Sequence, residues 1–207
     1  MDFKIEKHLA MKGYHFIAGI DEVGRGALAG PVAAAAVILP ENLETAWIHQ
    51  VRDSKLLSAR QRSRLSGYIK ESALSFGVGV VSHEYIDANG IIKATRMAMQ
   101  EAVQNLDPQP DHLIIDALKL PSVKLPQESI IHGDRLCLSI SCASILAKVA
   151  RDLLMAGLDG EYPGYGFASN KGYGTGMHLE NLRRLGPCPI HRRSFAPLKK
   201  NQLAMEL

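Results

Sequence analysis

Residues 32–39, VAAAAVIL, are the longest unbroken apolar run in the chain, and prolines close it at both ends, Pro31 and Pro40. A run that short, bounded by chain breakers, reads as a buried strand. It falls well below the roughly 20 residues a membrane helix needs. Three more segments read as strands. They are residues 15–22 (HFIAGIDE), residues 73–81, which are rich in β-branched side chains, and residues 112–116 (HLIID). Helical signals lie between and after them. Ser58 with Gln61 three residues on makes a capping box. Ile92, Thr95, Met99, Ala102 and Leu106 recur at helical spacing over residues 91–106, and Asp107-Pro108 ends that helix. Over residues 139–155, Ile140, Ala143, Ala147, Ala150 and Leu154 make one apolar face, while Ser141, Ser144, Lys148 and Arg151 line another. That second stripe suits phosphates or open water. A last helix starts at Thr175 as N-cap, continues through Leu179, Leu182 and Leu185, and stops at Gly186. Strands in a run, followed by alternation of strand and helix, predict an α/β fold with a mixed sheet and helices packed on it.

No repeat, linker or low-complexity segment divides the 207 residues, so one domain is expected. Within it the catalytic core is placed at about residues 15–155 and a basic helical part at about residues 156–207. A 46% hydrophobic, 22% charged composition fits a soluble globular protein, and no leader is visible in residues 1–16. Cys137, Cys142 and Cys188 cannot all pair within the chain and form no C-x-x-C, which points to a reduced, cytoplasmic setting. Net charge is only +3, but six Lys/Arg and no acid fall within residues 183–200. That bias suits a polyanionic partner, or a solvated basic tail.

Four acids sit where the local pattern resists them. Asp21 and Glu22 end the first strand, Asp116 ends residues 112–116, and Asp134 follows Gly133 just before the striped helix. A carboxylate at a buried strand end is costly unless paired or bound to a cation. Alone, each reads more readily as a helix cap or ion-pair partner. Together they repel unless a divalent ion neutralises them, and oxygen-only ligands favour Mg²⁺ or Mn²⁺ over Zn²⁺. Two such ions about 3.5–4 Å apart suit in-line phosphodiester hydrolysis. Because neighbours in a strand point to opposite faces, Asp21 and Glu22 share a site only if the chain bends at or just after Asp21. Gly24 and Gly26 make such a bend plausible.

The run Gly19-Ile20-Asp21-Glu22-Val23-Gly24-Arg25-Gly26, continuing to Gly30-Pro31-Val32, resembles the opening motif of the ribonuclease HII family, the prokaryotic type 2 ribonucleases H. Further matches follow in order: Asp53-Ser54-Lys55, Ile115-Asp116, Gly133-Asp134, residues 143–152 (ASILAKVARD), Tyr165-Gly166-Phe167, Lys171-Gly172-Tyr173-Gly174-Thr175 and His191-Arg192-Arg193-Ser194-Phe195. The resemblance implies a ribonuclease H-like fold, with a five-stranded mixed sheet flanked by helices and a small helical C-terminal part. It implies that Asp21, Glu22, Asp116 and Asp134 hold Mg²⁺ or Mn²⁺. It further implies cleavage of the RNA strand of RNA/DNA hybrids and incision at single ribonucleotides in duplex DNA, leaving 3′-hydroxyl and 5′-phosphate ends. Gly24, Arg25 and Gly26 match the element that reads the ribose, whose 2′-hydroxyl is what separates RNA from DNA. Tyr173 matches the tyrosine that packs on the following deoxyribose. Lys55, Ser144, Lys148, Arg151, His191 and Arg192 are the expected substrate contacts, positioning phosphates without reading bases. One departure concerns shape: the family carries Gly after the third acid, and this chain has Ala117. Another is Cys142, at a position that is ordinarily small.

Two other classes compete. A resolvase or integrase core needs acids on a similar sheet but lacks the Gly24–Gly26 and Tyr173 elements. A binding module without catalysis conflicts with four acids that would repel phosphates without metal. A dinucleotide-binding reading of Gly24-Arg25-Gly26 fails because Ala29 stands at the third glycine and a strand, not a helix, follows. A monomer is expected. The last six residues, Gln202 to Leu207, loosely resemble peptides that dock on sliding clamps, against a frayed terminus as the plainer reading.

Overall fold

The structure, a computed structural model, describes residues 3–199. The strands are β1 (Ile17–Val23), β2 (Val32–Ile38), β3 (Ser75–Val81), β4 (His112–Asp116) and β5 (Gln127–Ile130). The helices are α1 (Lys4–Met11), α2 (Ala59–Ser72), α3 (His83–Asn89), α4 (Ile91–Gln104), α5 (Gly133–Leu136), α6 (Leu138–Glu161), α7 (Phe167–Asn170) and α8 (Gly176–Leu185). One mixed sheet runs in the order β3-β2-β1-β4-β5. The β1–β2 and β2–β3 pairs are antiparallel, while β1–β4 and β4–β5 are parallel. This is the expected fold class.

The apolar run is the strand it was expected to be, and its lack of a polar side has a direct cause. Ala34, Ala36 and Ile38 pack toward Ala94, Ala98, Met99 and Ala102 of α4. Ala35 and Val37 pack on the other face toward Leu65 and Ile69 of α2 and Leu146 of α6. Both faces are dry, so the period-2 alternation carries no polar residue. Gly19 lets α6 lie directly on β1: a Cβ there would collide with the backbone of Ser139 and Ile140.

The capping box at Ser58 forms with both arms, the Ser58 N–H donating to Gln61 (2.8 Å) and the Gln61 N–H to the Ser58 hydroxyl (3.3 Å). Thr175 caps α8 by accepting from the His178 N–H. Helix α6 runs past residue 155 to Glu161, because Met155 and Leu158 extend its apolar face against Tyr165 and Phe167. Five elements lie outside the pattern reading. They are α1, α3, the single-turn helices α5 and α7, and the edge strand β5, whose sequence QESI shows no apolar alternation. Helix α1 has a specific task. Its buried Glu6 accepts from both the N–H and the hydroxyl of Ser139, in the first turn of α6. All three cysteines are free and buried. Among the described residues no helix is long and apolar enough to cross a membrane. The clamp-like segment, residues 202–207, lies outside the described residues.

Candidate active site

β1 and β4 are parallel neighbours whose last pair is Ile20 with Ile115. One step further along both strands puts Asp21 level with Asp116. Both point to the α6 face, as Ile17 and Ile114 do, which pack there against Ile140. Asp134 sits in α5, whose Gly133 N–H donates to Asp116 (2.8 Å). Asp21, Glu22, Asp116 and Asp134 thereby line one cavity of about 340 Å³, together with Ser54, Lys55, Ser144, Lys148 and Tyr173.

Glu22 reaches this cavity without the expected bend at Asp21. The β1–β2 ladder stays regular through Val23 with Ala33, and the chain turns only at Gly24, at φ +92°. What opens the site to Glu22 is unequal strand length. β1 continues beyond its last pair with β4, leaving that flank of Glu22 uncovered. Glu22 accepts from Arg25 (3.1 Å), and its own N–H donates to Asp21 (2.7 Å). Its second oxygen, Oε2, is buried without a hydrogen-bond partner.

The carboxyls disturb one another. Burial raises the Asp21 pKa well above the ordinary value, and the charges of Glu22 and Asp116 push the same way against a hydrogen bond from Ser144. Burial also raises Glu22, opposed by Arg25, and raises Asp116, where the Gly133 N–H opposes and the Asp134 charge adds. An all-oxygen donor set with mutual repulsion and an orphaned carboxylate oxygen fits a hard divalent cation. Among the described residues no three His, Cys, Asp or Glu side chains converge into a ready cage.

Behind the cavity two arginines do something other than expected. Arg151, Arg192 and His191 were read as phosphate contacts, yet all three are fully buried. Arg192 donates to the carbonyls of Gly30 (2.9 Å), Arg25 (3.0 Å) and Pro31 (3.0 Å). Arg151 donates to Pro31 (2.8 Å), Lys171 (2.9 Å) and Ala29 (3.2 Å). Desolvation and each other's charge lower the Arg192 pKa to about 9. Two guanidinium forks thus hold the loop between β1 and β2 from behind, in place of contacting a duplex. Arg151 also packs where a Cβ on Gly24 would stand, and its guanidinium lies 5.4 Å from the Tyr173 ring centre. Gly24 is therefore required by the fold. Gly26 is exposed and a Cβ there would meet nothing within 4 Å, so nothing inside the protein requires its glycine.

His191 belongs to a buried chain with a single consistent proton assignment. The Cys188 N–H donates to His191 Nδ1 (3.0 Å), so Nε2 carries the ring proton and donates to His178 Nε2 (3.1 Å). His178 Nδ1–H then donates to the Tyr173 carbonyl (2.8 Å). Burial lowers both histidines, His191 to about 4, so both are neutral near pH 7. Among the remaining expected contacts, Ser144 bonds to Ser54 (3.0 Å) and Lys148 to Asp152 (2.8 Å), with Lys148 Nζ 5.7 Å from the Tyr173 ring centre. Ser141 turns inward to the Asp134 and Cys137 carbonyls, so the polar stripe of α6 is only partly open. Ser54 was not singled out, although it stands inside the Asp53-Ser54-Lys55 match.

A mixed sheet of this order, with carboxylates at the ends of adjacent parallel strands, defines a protein of the ribonuclease H-like class. Within that class the chain belongs to the ribonuclease HII family, whose sequence profile matches residues 18–198. Members of this family are endoribonucleases. A ribonuclease HII of Dehalococcoides mccartyi is 56% identical over 194 residues, covering 94% of this chain and 92% of that protein. Among solved structures, the ribonuclease H2 of Pyrococcus horikoshii superposes with a TM-score of 0.75 at 23% identity, covering 92% of this chain and 98% of that one. Bst-RNase HIII in complex with Mn²⁺ superposes with a TM-score of 0.65 at 23% identity, covering 92% of this chain and 70% of that one.

Proposed function

We propose that this chain hydrolyses the RNA strand of RNA/DNA hybrids and incises duplex DNA at single embedded ribonucleotides, leaving 3′-hydroxyl and 5′-phosphate ends. The observation that carries this reading is the shared cavity, where Asp21, Glu22, Asp116 and Asp134 meet Lys55, Lys148 and Tyr173. The four carboxylates would hold two divalent ions, Mg²⁺ or Mn²⁺, and the Mn²⁺ complex of the structural relative supports that choice of metal. When bound, such ions supply a hydroxide nucleophile from water and neutralise the leaving oxygen.

The protein's own groups do the rest. Lys55 and Lys148 hold the phosphates beside the scissile bond. The exposed backbone at Gly26 comes close to the sugar and reads its 2′-hydroxyl, while Arg25 stays tied to Glu22. Tyr173 presents its ring to the next sugar, where a missing hydroxyl is tolerated. Lys148 and Arg151 flank that ring, and His178 holds its backbone. We place this activity in a monomeric, single-domain, cytoplasmic protein serving DNA replication and repair.

The test uses labelled duplexes, either all DNA or carrying one ribonucleotide, with and without Mn²⁺. Incision is expected only beside the ribonucleotide and only with metal. Tyr173→Ala is expected to slow that substrate more than a continuous hybrid. No incision beside the ribonucleotide at any metal level would overturn the function. Equal loss on both substrates would overturn the role of Tyr173.

A further inference from the structure

We infer that a second, basic cavity beside the catalytic one binds the phosphodiester backbone of the same substrate a few nucleotides from the cut. The two cavities share a wall, the segment of residues 51–57. Ser54 and Lys55 line the catalytic side. Arg52 and Leu57 line the other side with His49, Gln61 and Arg64, around a volume of about 270 Å³. No carboxylate lines it, and among the described residues neither Arg52 nor Arg64 forms an ion pair.

Its charge is not offset locally. Arg60, exposed one turn before Arg64 on α2, adds to it. The nearest acid in sequence, Asp53, is buried and already engaged, accepting from the Lys55 N–H (3.0 Å) and from Arg135 (3.0 Å). Asp152 of α6 is likewise committed, holding Lys148 and Arg62.

The wall is also rigid. Arg62 donates to the carbonyls of Ser54 (2.9 Å) and Leu57 (2.5 Å), and Ser54 bonds to Ser144. Arg64 is held across the cavity by the Gln50 side chain (2.7 Å). The Arg64 guanidinium is therefore held in place, while Arg52 rises from the braced wall three positions before Lys55. Three chain steps lead from Arg52 to Lys55, at most about 11 Å. With a rise of about 3.4 Å per nucleotide, a strand passing Lys55 reaches Arg52 after about three nucleotides. A pair of forked cations within that reach, with no acid in the cavity lining, is suited to phosphate oxygens, which it would position without reading sequence.

The inference rests on the proposed function only for where the cut lies, and its test reads binding without cleavage. Wild type, Arg52→Gln/Arg64→Gln and a charge control, Lys93→Gln on the opposite face of the sheet, bind a labelled RNA/DNA hybrid in EDTA over a salt series. Losing two phosphate contacts lowers the slope of log K against log salt by about 1.8. Over a fourfold rise in salt the wild type therefore loses about 12-fold more affinity than the double variant. Lys93→Gln keeps the wild-type slope. On a hybrid trimmed to about two nucleotides beyond the cut on the side that runs past Arg52 and left long on the other, wild type and double variant should show the same slope. An unchanged slope in a double variant that melts at the wild-type temperature would refute the inference. So would an equal fall in Lys93→Gln, or a difference that persists on the trimmed hybrid. Binding with the full slope but without incision when metal is added would count against the proposed function and leave this cavity's role standing.

Discussion

Ala117 follows the third carboxylate in a left-handed backbone conformation, at φ +51°. Its N–H is held there by the Ile130 carbonyl (3.1 Å), so the conformation is imposed by the sheet. An L-residue in this region costs roughly 1–2 kcal/mol, which glycine does not incur. Glycine costs more entropy on folding, about 0.4–1 kcal/mol relative to alanine. The Ala117 side chain is exposed, so removing its methyl forfeits little burial. Ala117→Gly should therefore stabilise the protein by about 0.5–1 kcal/mol, raising the melting temperature by ~1–4 °C in a chain of this size. Thermal and urea melts on the metal-free protein measure this, with an unchanged urea m-value showing that the effect is on stability. Nuclease activity should survive, because the Asp116 carboxylate and its bond from Gly133 are untouched. A variant less stable than wild type would show that the loop is not strained as argued.

Asp21→Asn should reduce hydrolysis by at least about 100-fold, the loss that removal of even an outer partner of a metal site can reach. It should also stabilise the metal-free protein. A carboxyl held above its unfolded pKa binds its proton more tightly when folded, so stability falls as pH rises from the unfolded value through the folded one. Asparagine removes that fall, and a gain of roughly 2–4 °C at pH 7 corresponds to about 1 kcal/mol. The stabilisation that wild type gains from added Mn²⁺ should shrink in the variant; melts across pH that coincide with wild type would refute the burial argument. Arg192→Lys keeps the charge but loses the fork, leaving at least one buried carbonyl of the 25–31 loop without a donor. Stability should drop by about 2 kcal/mol, or ~4–8 °C, and discrimination between ribo- and deoxyribonucleotide strands should fall. Unchanged melting and unchanged discrimination would refute the clamp.

Four of the five strands and the four longest helices were legible because they rest on apolar patterning. The apolar runs of β1, β2 and β4 come from burial on both faces that any sequence in those places must satisfy. β5 was not legible, since an exposed edge strand with sequence QESI carries no such constraint. The acids could be read as a group because four carboxylates at structural ends are locally unfavourable. The geometry of Glu22 could not be read, because it depends on β1 outlasting β4, a difference between two strands far apart in sequence. Arg151, Arg192 and His191 were misplaced for a general reason. Arginine is rarely buried, and five backbone carbonyls arranged to receive two guanidiniums, with Pro31 serving both, leave no mark in the pattern of side chains.

Those guanidinium bonds also say something about assembly in time. Arg192 joins carbonyls 161 to 167 positions before it in the chain. Synthesis delivers the N-terminal part first, so every residue of the sheet and all four carboxylates leave the ribosome before the loop's second anchor exists. Closing so long a span is entropically slow relative to local pairing. The nascent chain thus holds its acids early and fixes the loop between β1 and β2 only once the segment bearing Arg192 has docked.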